Sequence, residues 1–186
     1  DGIYIINSTI TIPSSQSLTI ENGSLLRFDS NVDFIINGIL HIDGTENNPV
    51  TLTMITTDND DLRWGRIRFV DASSNSEISY CNITYSSNGI FFENTSNITF
   101  DNLSMTLRYQ NNSSCIEGAD YLTISNSTLE NIWTPTITND VKYGIKGSEN
   151  ITIENSVIDV DSHIGSSQGS TNNTSTAYGI YDCNNI

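Results

Sequence analysis

The chain has 186 residues, enough for one domain with a substantial core; 36% are hydrophobic, 16% are charged, and 22 acidic against 7 basic side chains leave a formal charge of -15. That charge repels nucleic-acid phosphates and anionic headgroups, which argues against nucleic-acid binding, and no apolar run is long enough to span a membrane. The density of Asn, Ser and Thr, which compete with a helical backbone for hydrogen bonds, points to an all-β chain.

In chain order, one pattern recurs: an asparagine with apolar residues four and two before it and three after it. It stands first at Ile3, Ile5, Asn7 and Ile10, and next at Leu18, Ile20, Asn22 and Leu25. The stretch "FIINGILHIDGTENNPVTLTM" then alternates apolar and polar residues, with Gly44 and Pro49 marking a turn ahead of a strand from Val50 to Met54. "WGRIRFV" supplies another strand, with Ile67 and Phe69 on one face and Arg66 and Arg68 on the other. The pattern returns at Ile78, Tyr80, Asn82 and Tyr85, at Ile98, Phe100, Asn102 and Met105, at Leu122, Ile124, Asn126 and Leu129, and at Ile151, Ile153, Asn155 and Ile158.

Apolar residues two apart share one face of a strand, so the odd offset after the asparagine requires the chain to bend there. Asparagine suits the bend because it tolerates the left-handed conformation. A second landmark, Gly89-Ile90, Cys115-Ile116, Gly144-Ile145 and Gly179-Ile180, precedes several segments and adds a third strand to each unit. Three short strands per unit, repeated, predict a solenoid of roughly six or seven coils. We expect a single domain over 1–186, with irregular N-terminal coils in 1–60, regular coils in 61–186, and a last coil that is incomplete at Ile186.

The succession "TIPSSQSLTIENGSLLRF", "INGILHIDGTENNPVTLTM", "WGRIRFV" and "ISYCNITYSSNGI" resembles the right-handed parallel β-helix repeat proteins of the pectin-lyase-like superfamily, especially secreted and cell-surface members of bacteria and archaea. The resemblance covers essentially the whole chain. It implies a right-handed parallel β-helix with an internal asparagine column, here Asn7, Asn22, Asn82, Asn102, Asn126 and Asn155. It does not choose a function, since lyases, hydrolases, adhesins and surface-layer components share that fold.

Twelve Asn-X-Ser/Thr sequons occur. Those in the column are expected to point inward and to be closed to glycans. Asn94, Asn97, Asn111, Asn112, Asn150, Asn172 and Asn173 lie between strands or at strand starts and are the glycosylation candidates. Modification there places the protein outside the cell, at its surface.

The one local grouping of acids near bases is Asp58, Asp60 and Asp61, beside Arg63, Arg66 and Arg68. A calcium-assisted lyase needs such acids, but Leu62 falls where an EF-hand loop needs an oxygen, and a solvated loop whose acids pair with the arginines is the preferred reading. No other metal or cofactor motif is present. The family's hydrolase signatures, Gly-His-Gly and Arg-Ile-Lys, are missing; His41 and His163 stand outside any motif, and no catalytic residue is assigned. Trp64 and Trp133 are candidates for stacking on sugar rings if exposed. Cys81, Cys115 and Cys183 are too few and too irregular for a disulfide framework or a zinc site and are expected as small buried hydrophobes, with one bridge left open.

The expected function is a self-associating structural protein of a surface layer, sheath, fibre or adhesin; the alternatives are a polysaccharide lyase or hydrolase and a carbohydrate-binding module without catalysis.

Overall fold

The computed structural model describes residues 2–56, 62–72, 75–108, 112–132, 141–161 and 176–186. Among these, every regular element is a strand. After β1 (Ile3–Ile6), the strands come in successive circuits: β2 (Ile10–Ile12), β3 (Ser17–Glu21), β4 (Leu25–Phe28); β5 (Phe34–Ile36), β6 (Ile39–Asp43), β7 (Val50–Met54); β8 (Ile67–Val70), β9 (Glu77–Thr84); β10 (Ile90–Glu93), β11 (Ser96–Arg108); β12 (Ser114–Glu117), β13 (Asp120–Ser125), β14 (Thr128–Ile132); β15 (Val141–Lys146), β16 (Glu149–Glu154), β17 (Val157–Val160); then β18 (Thr176–Tyr181). β9 and β11 are long strands that run through the bend separating β13 from β14 on the next circuit.

The first strand of each circuit joins a seven-stranded sheet, and the rest join an eleven-stranded sheet. Pairing between strands is parallel throughout, as expected where each strand meets its counterpart one circuit away. Like residues therefore stack on like residues. Ile10, Phe34, Ile67, Ile90, Ile116, Ile145 and Ile180 form one column. Ile20, Ile42, Ile78, Phe100, Ile124 and Ile153 form a second. Leu26, Leu52, Ile83, Met105, Leu129 and Ile158 form a third.

The columns face one another and, from Ile42 to Ile124, are essentially closed to solvent. Each buried aliphatic side chain contributes about 1.5–3 kcal/mol through the hydrophobic effect. Phe28 stacks on Trp64 at 4.5 Å between ring centroids, and Phe69 on Phe92 at 5.2 Å. The landmark isoleucines thus pair as expected, as do the segments at Ile98, Leu122 and Ile151.

Three expectations are corrected. Asn7, Asn22, Asn126 and Asn155 are exposed, and Asn82 and Asn102 half-buried, so these asparagines form no internal column. The interior is filled by the apolar columns, where an unpaired carboxamide would lose its hydrogen bonds to water. At the bends, Asn102, Asn126 and Asn155 take φ of 53°, 49–50° being the value at the latter two, and turn outward. Among the described residues, the asparagine that is wholly buried is Asn131, whose amide donates to the carbonyls of Ser113 at 2.9 Å and Tyr143 at 3.0 Å.

The segment at 78–85 is shifted: Ile78 pairs with Phe100, and Cys81 and Ile83 point inward, so that Tyr80, at φ 47°, takes the bend position expected for Asn82. Ile3–Ile6 pairs with Leu25–Phe28, so it precedes β2 as the last strand of a circuit and does not lead into a bend at Asn7.

Candidate functional site

The outer face of the seven-stranded sheet is built from the residue that follows each landmark isoleucine. Register places Ile35, Arg68, Phe91, Glu117, Lys146 and Tyr181 in one outward column. A second outward position, three residues earlier, carries Ser114, Tyr143 and Tyr178. The arginines reach carboxylates on other strands of this sheet, Arg66 to Glu117 of β12 at 4.0 Å and Arg68 to Glu93 of the adjacent β10 at 3.8 Å, and Lys146 meets Glu117 at 3.1 Å. Both guanidinium groups also lie over the Phe91 ring, at 5.2 and 5.7 Å, while Lys146 lies over Tyr143 at 5.1 Å. Tyr143 stacks on Tyr178 at 5.6 Å, and Tyr181 leans on both. The strip is therefore cationic and aromatic on a strongly acidic protein.

The eleven-stranded sheet presents the opposite character. Thr19, His41, Glu77, Thr99, Thr123 and Thr152 form one outward column, and Glu21, Asp43, Ser79, Asp101, Ser125 and Glu154 another. Asp101 accepts from Ser125 Oγ at 2.7 Å and from Asn126 Nδ2 at 2.8 Å on one oxygen, and from Asn102 Nδ2 at 2.8 Å on the other. These donors, Ser125 foremost, hold its carboxyl below the usual carboxylate range. Along the edge of this face runs a groove of about 240 Å³ lined by Asn97, Thr99, Tyr121, Thr123, Asn150 and Thr152. Tyr121 is 56% exposed in it, on a left-handed bend that Asn97 and Asn150 occupy in adjacent circuits.

Both ends of the stack expose apolar side chains. Tyr4, stacked on the inward Leu26, is 50% exposed at one end, and Ile180, stacked on the inward Ile145, is 41% exposed at the other. A groove of about 300 Å³ lined by Tyr4, Ile6, Ile10, Leu18, Ile20 and Leu26, among others, opens beside β1.

No protein-family model matches the chain, and no curated protein or solved structure is significantly similar to it.

Several expected site residues are relocated. Trp64 is wholly buried, its ring against Phe28 and its Nε1 donating to the Thr84 carbonyl at 2.8 Å, so no ring face is open to a sugar. Arg66 and Arg68 pair with Glu117 and Glu93, and Arg63 is 4% exposed with its Nε donating to the Arg108 carbonyl. Asp58, Asp60, Asp61, Trp133, His163, Asn111, Asn172 and Asn173 lie outside the described residues. Among the described residues, no group of three or more His, Cys, Asp and Glu is placed to hold a metal, and no helix is long and apolar enough to cross a membrane.

Cys81 and Cys115 are buried free thiols whose ionisation burial pushes well above the ordinary range, and Cys183 is free and half-buried.

Of the sequon asparagines, Asn94, Asn97 and Asn112 are exposed and Asn150 half-buried, all four with positive φ. Asn97-Ile98-Thr99 and Asn150-Ile151-Thr152 share one construction: a left-handed bend, an inward isoleucine, an outward threonine. Asn102-Leu103-Ser104 repeats it at the next bend. Strand alternation after an asparagine bend therefore produces this tripeptide by itself, independently of any glycan. The cationic-aromatic strip and Tyr121 escaped the sequence reading. Their signal was the residue after each landmark isoleucine, and an aromatic standing where the neighbouring circuits have asparagine.

Proposed function

We propose that the chain is a right-handed parallel β-helix of three strands per coil, akin to the pectin-lyase-like superfamily, and that it is a structural unit of an extracellular, N-glycosylated surface assembly. The observation that carries this reading is the parallel stacking of like residues into three inward columns, a fold that lengthens by repetition and keeps the same chemistry along each face. Open parallel edges accept a further strand readily, and a coil from a neighbouring subunit or from continued chain would extend all three inward columns. Head-to-tail stacking is heterologous and so propagates into filaments.

Negative-stain electron microscopy of material purified from its native source without refolding is expected to show filaments, tubes or sheets. Placing Ile3→Lys and Ile5→Lys in the chain should shorten or abolish them, since edge lysines oppose strand addition. Discrete monomers at millimolar concentration, with both ends protected from exchange, would overturn the reading.

A second reading, carbohydrate binding without catalysis, is favoured by the groove at Tyr121, where an open aromatic ring stands among amides and hydroxyls. Glycan-array binding that Tyr121→Ala removes is its expected signature; binding unaffected by that change counts against it.

A further inference from the structure

We infer that the cationic-aromatic strip of the seven-stranded sheet docks on the acidic face of a second copy of this chain, side by side with it. This deepens the assembly reading and rests on it: end stacking supplies the axial direction, and this contact the lateral one.

The two faces differ in charge, with three cations against Glu93 and Glu117 on the seven-stranded sheet. β3, β6, β13 and β16 contain no Lys or Arg, and the outward column that runs through them and through Asp101 of β11 also carries Glu21, Asp43 and Glu154. The opposite sheet exposes Arg66, Arg68 and Lys146 around Phe91, Tyr143 and Tyr181. Arginine and tyrosine are the residue types that dominate protein interfaces, and lysine in a strip of this kind is held over a ring, with its stem already ordered. The ion pairs to Glu93 and Glu117 are surface pairs roughly one-third exposed, each worth little, so exchanging partners costs little.

Pitch makes the match extend along the molecule. Both sheets rise by one strand spacing per circuit, about 4.8 Å. Two copies with parallel axes therefore keep strip and acidic column in step over several circuits. A cationic face on an acidic face is heterologous, so the contact repeats from copy to copy and yields a lateral array. The formal charge of -15 on each copy opposes approach, but that repulsion is long-range and is screened over about 10 Å at 0.1 M salt, whereas the pairs formed in contact are screened less.

Sedimentation velocity of the full chain across a salt series tests this. Association should be weak at about 10 mM salt, strongest near about 0.1 M and weak again at about 1 M. Arg66→Glu with Arg68→Glu and Lys146→Glu should weaken it about tenfold or more, as should Asp43→Lys with Glu154→Lys, with strand content by circular dichroism unchanged. Mixing the two variants should restore association, because each then offers the face the other lacks. Monomers at every salt concentration, or association that neither variant alters, would overturn the inference. Strip-dependent retention on polygalacturonate without self-association would also overturn it, in favour of an anionic saccharide. Electron microscopy separates the two readings: single-width filaments in the strip variant leave end stacking intact, while lateral clusters without filaments leave only the side contact.

Discussion

Asn102, Asn126 and Asn155 hold the same bend on successive circuits, with φ of 53°, 50° and 49°. A β-branched or bulky side chain strains that conformation, whereas asparagine adopts it and can bond locally. Here the bond is to Asp101, which collects donors from Ser125, Asn126 and Asn102 and so ties two circuits together on the outside. Its carboxyl ionises more easily in the fold than in the unfolded chain. The resulting stabilisation is fully present above the unfolded value, about pH 4, and is lost as pH falls through the lowered folded value. Asp101→Asn should therefore cost about 1 kcal/mol at neutral pH, after screening of a half-exposed group, and the gap to the unchanged chain should close below about pH 4. Urea unfolding at a series of pH values reads both; a gap independent of pH would show that the carboxylate is not the source.

At the scale of the element, four strands of the seven-stranded sheet have a small residue just before the landmark isoleucine: Gly89, Cys115, Gly144 and Gly179. In β10 the reason is steric. A Cβ on Gly89 would lie 1.9 Å from the Cys115 carbonyl oxygen and 2.6 Å from Met105 Sδ. Gly179, the equivalent glycine in β18, has nothing within 4 Å. Gly89→Ala should destabilise by about 1–3 kcal/mol through overpacking, while Gly179→Ala should be neutral or slightly stabilising. Midpoints of urea unfolding for the two variants check this, and equal effects would mean that neighbouring circuits do not press on Gly89. The same landmark reached across elements: Ile90, Ile116, Ile145 and Ile180 were legible as equivalent positions and do pair. Ile78 to Tyr85 was not legible. Both Tyr80 and Asn82 leave apolar residues at workable offsets, and only the pairing of Ile78 with Phe100 and of Cys81 with Leu103 decides which residue bends.

Over the whole molecule, stability has a direction. Side chains near the middle of the columns, such as Ile67, Ile78 and Phe100, are fully buried, while Tyr4, stacked on Leu26 at one end, and Ile180, stacked on Ile145 at the other, are half open. Each circuit gains its burial from the circuits on either side, so terminal ones are held from one side only. Hydrogen exchange should be slowest in β8, β9 and β11 and accelerate toward β1 and β18, with the gradient flattened when copies stack on the ends. Uniform protection in dilute monomer would contradict a stack held together by nearest neighbours.

The sequence by itself determined that the chain is built of strands, that Ile98, Leu122 and Ile151 are equivalent, and that Asn102, Asn126 and Asn155 mark bends, because inward positions must be apolar and a bend needs a residue that tolerates it. The tertiary structure alone decided which way those asparagines face, that Trp64 is buried while Tyr121 is open, and that Arg68, Phe91 and Lys146 share one strip. Local pattern records parity along a strand. Facing, burial and the company a side chain keeps depend on pairing with circuits tens of residues away, which parity does not encode.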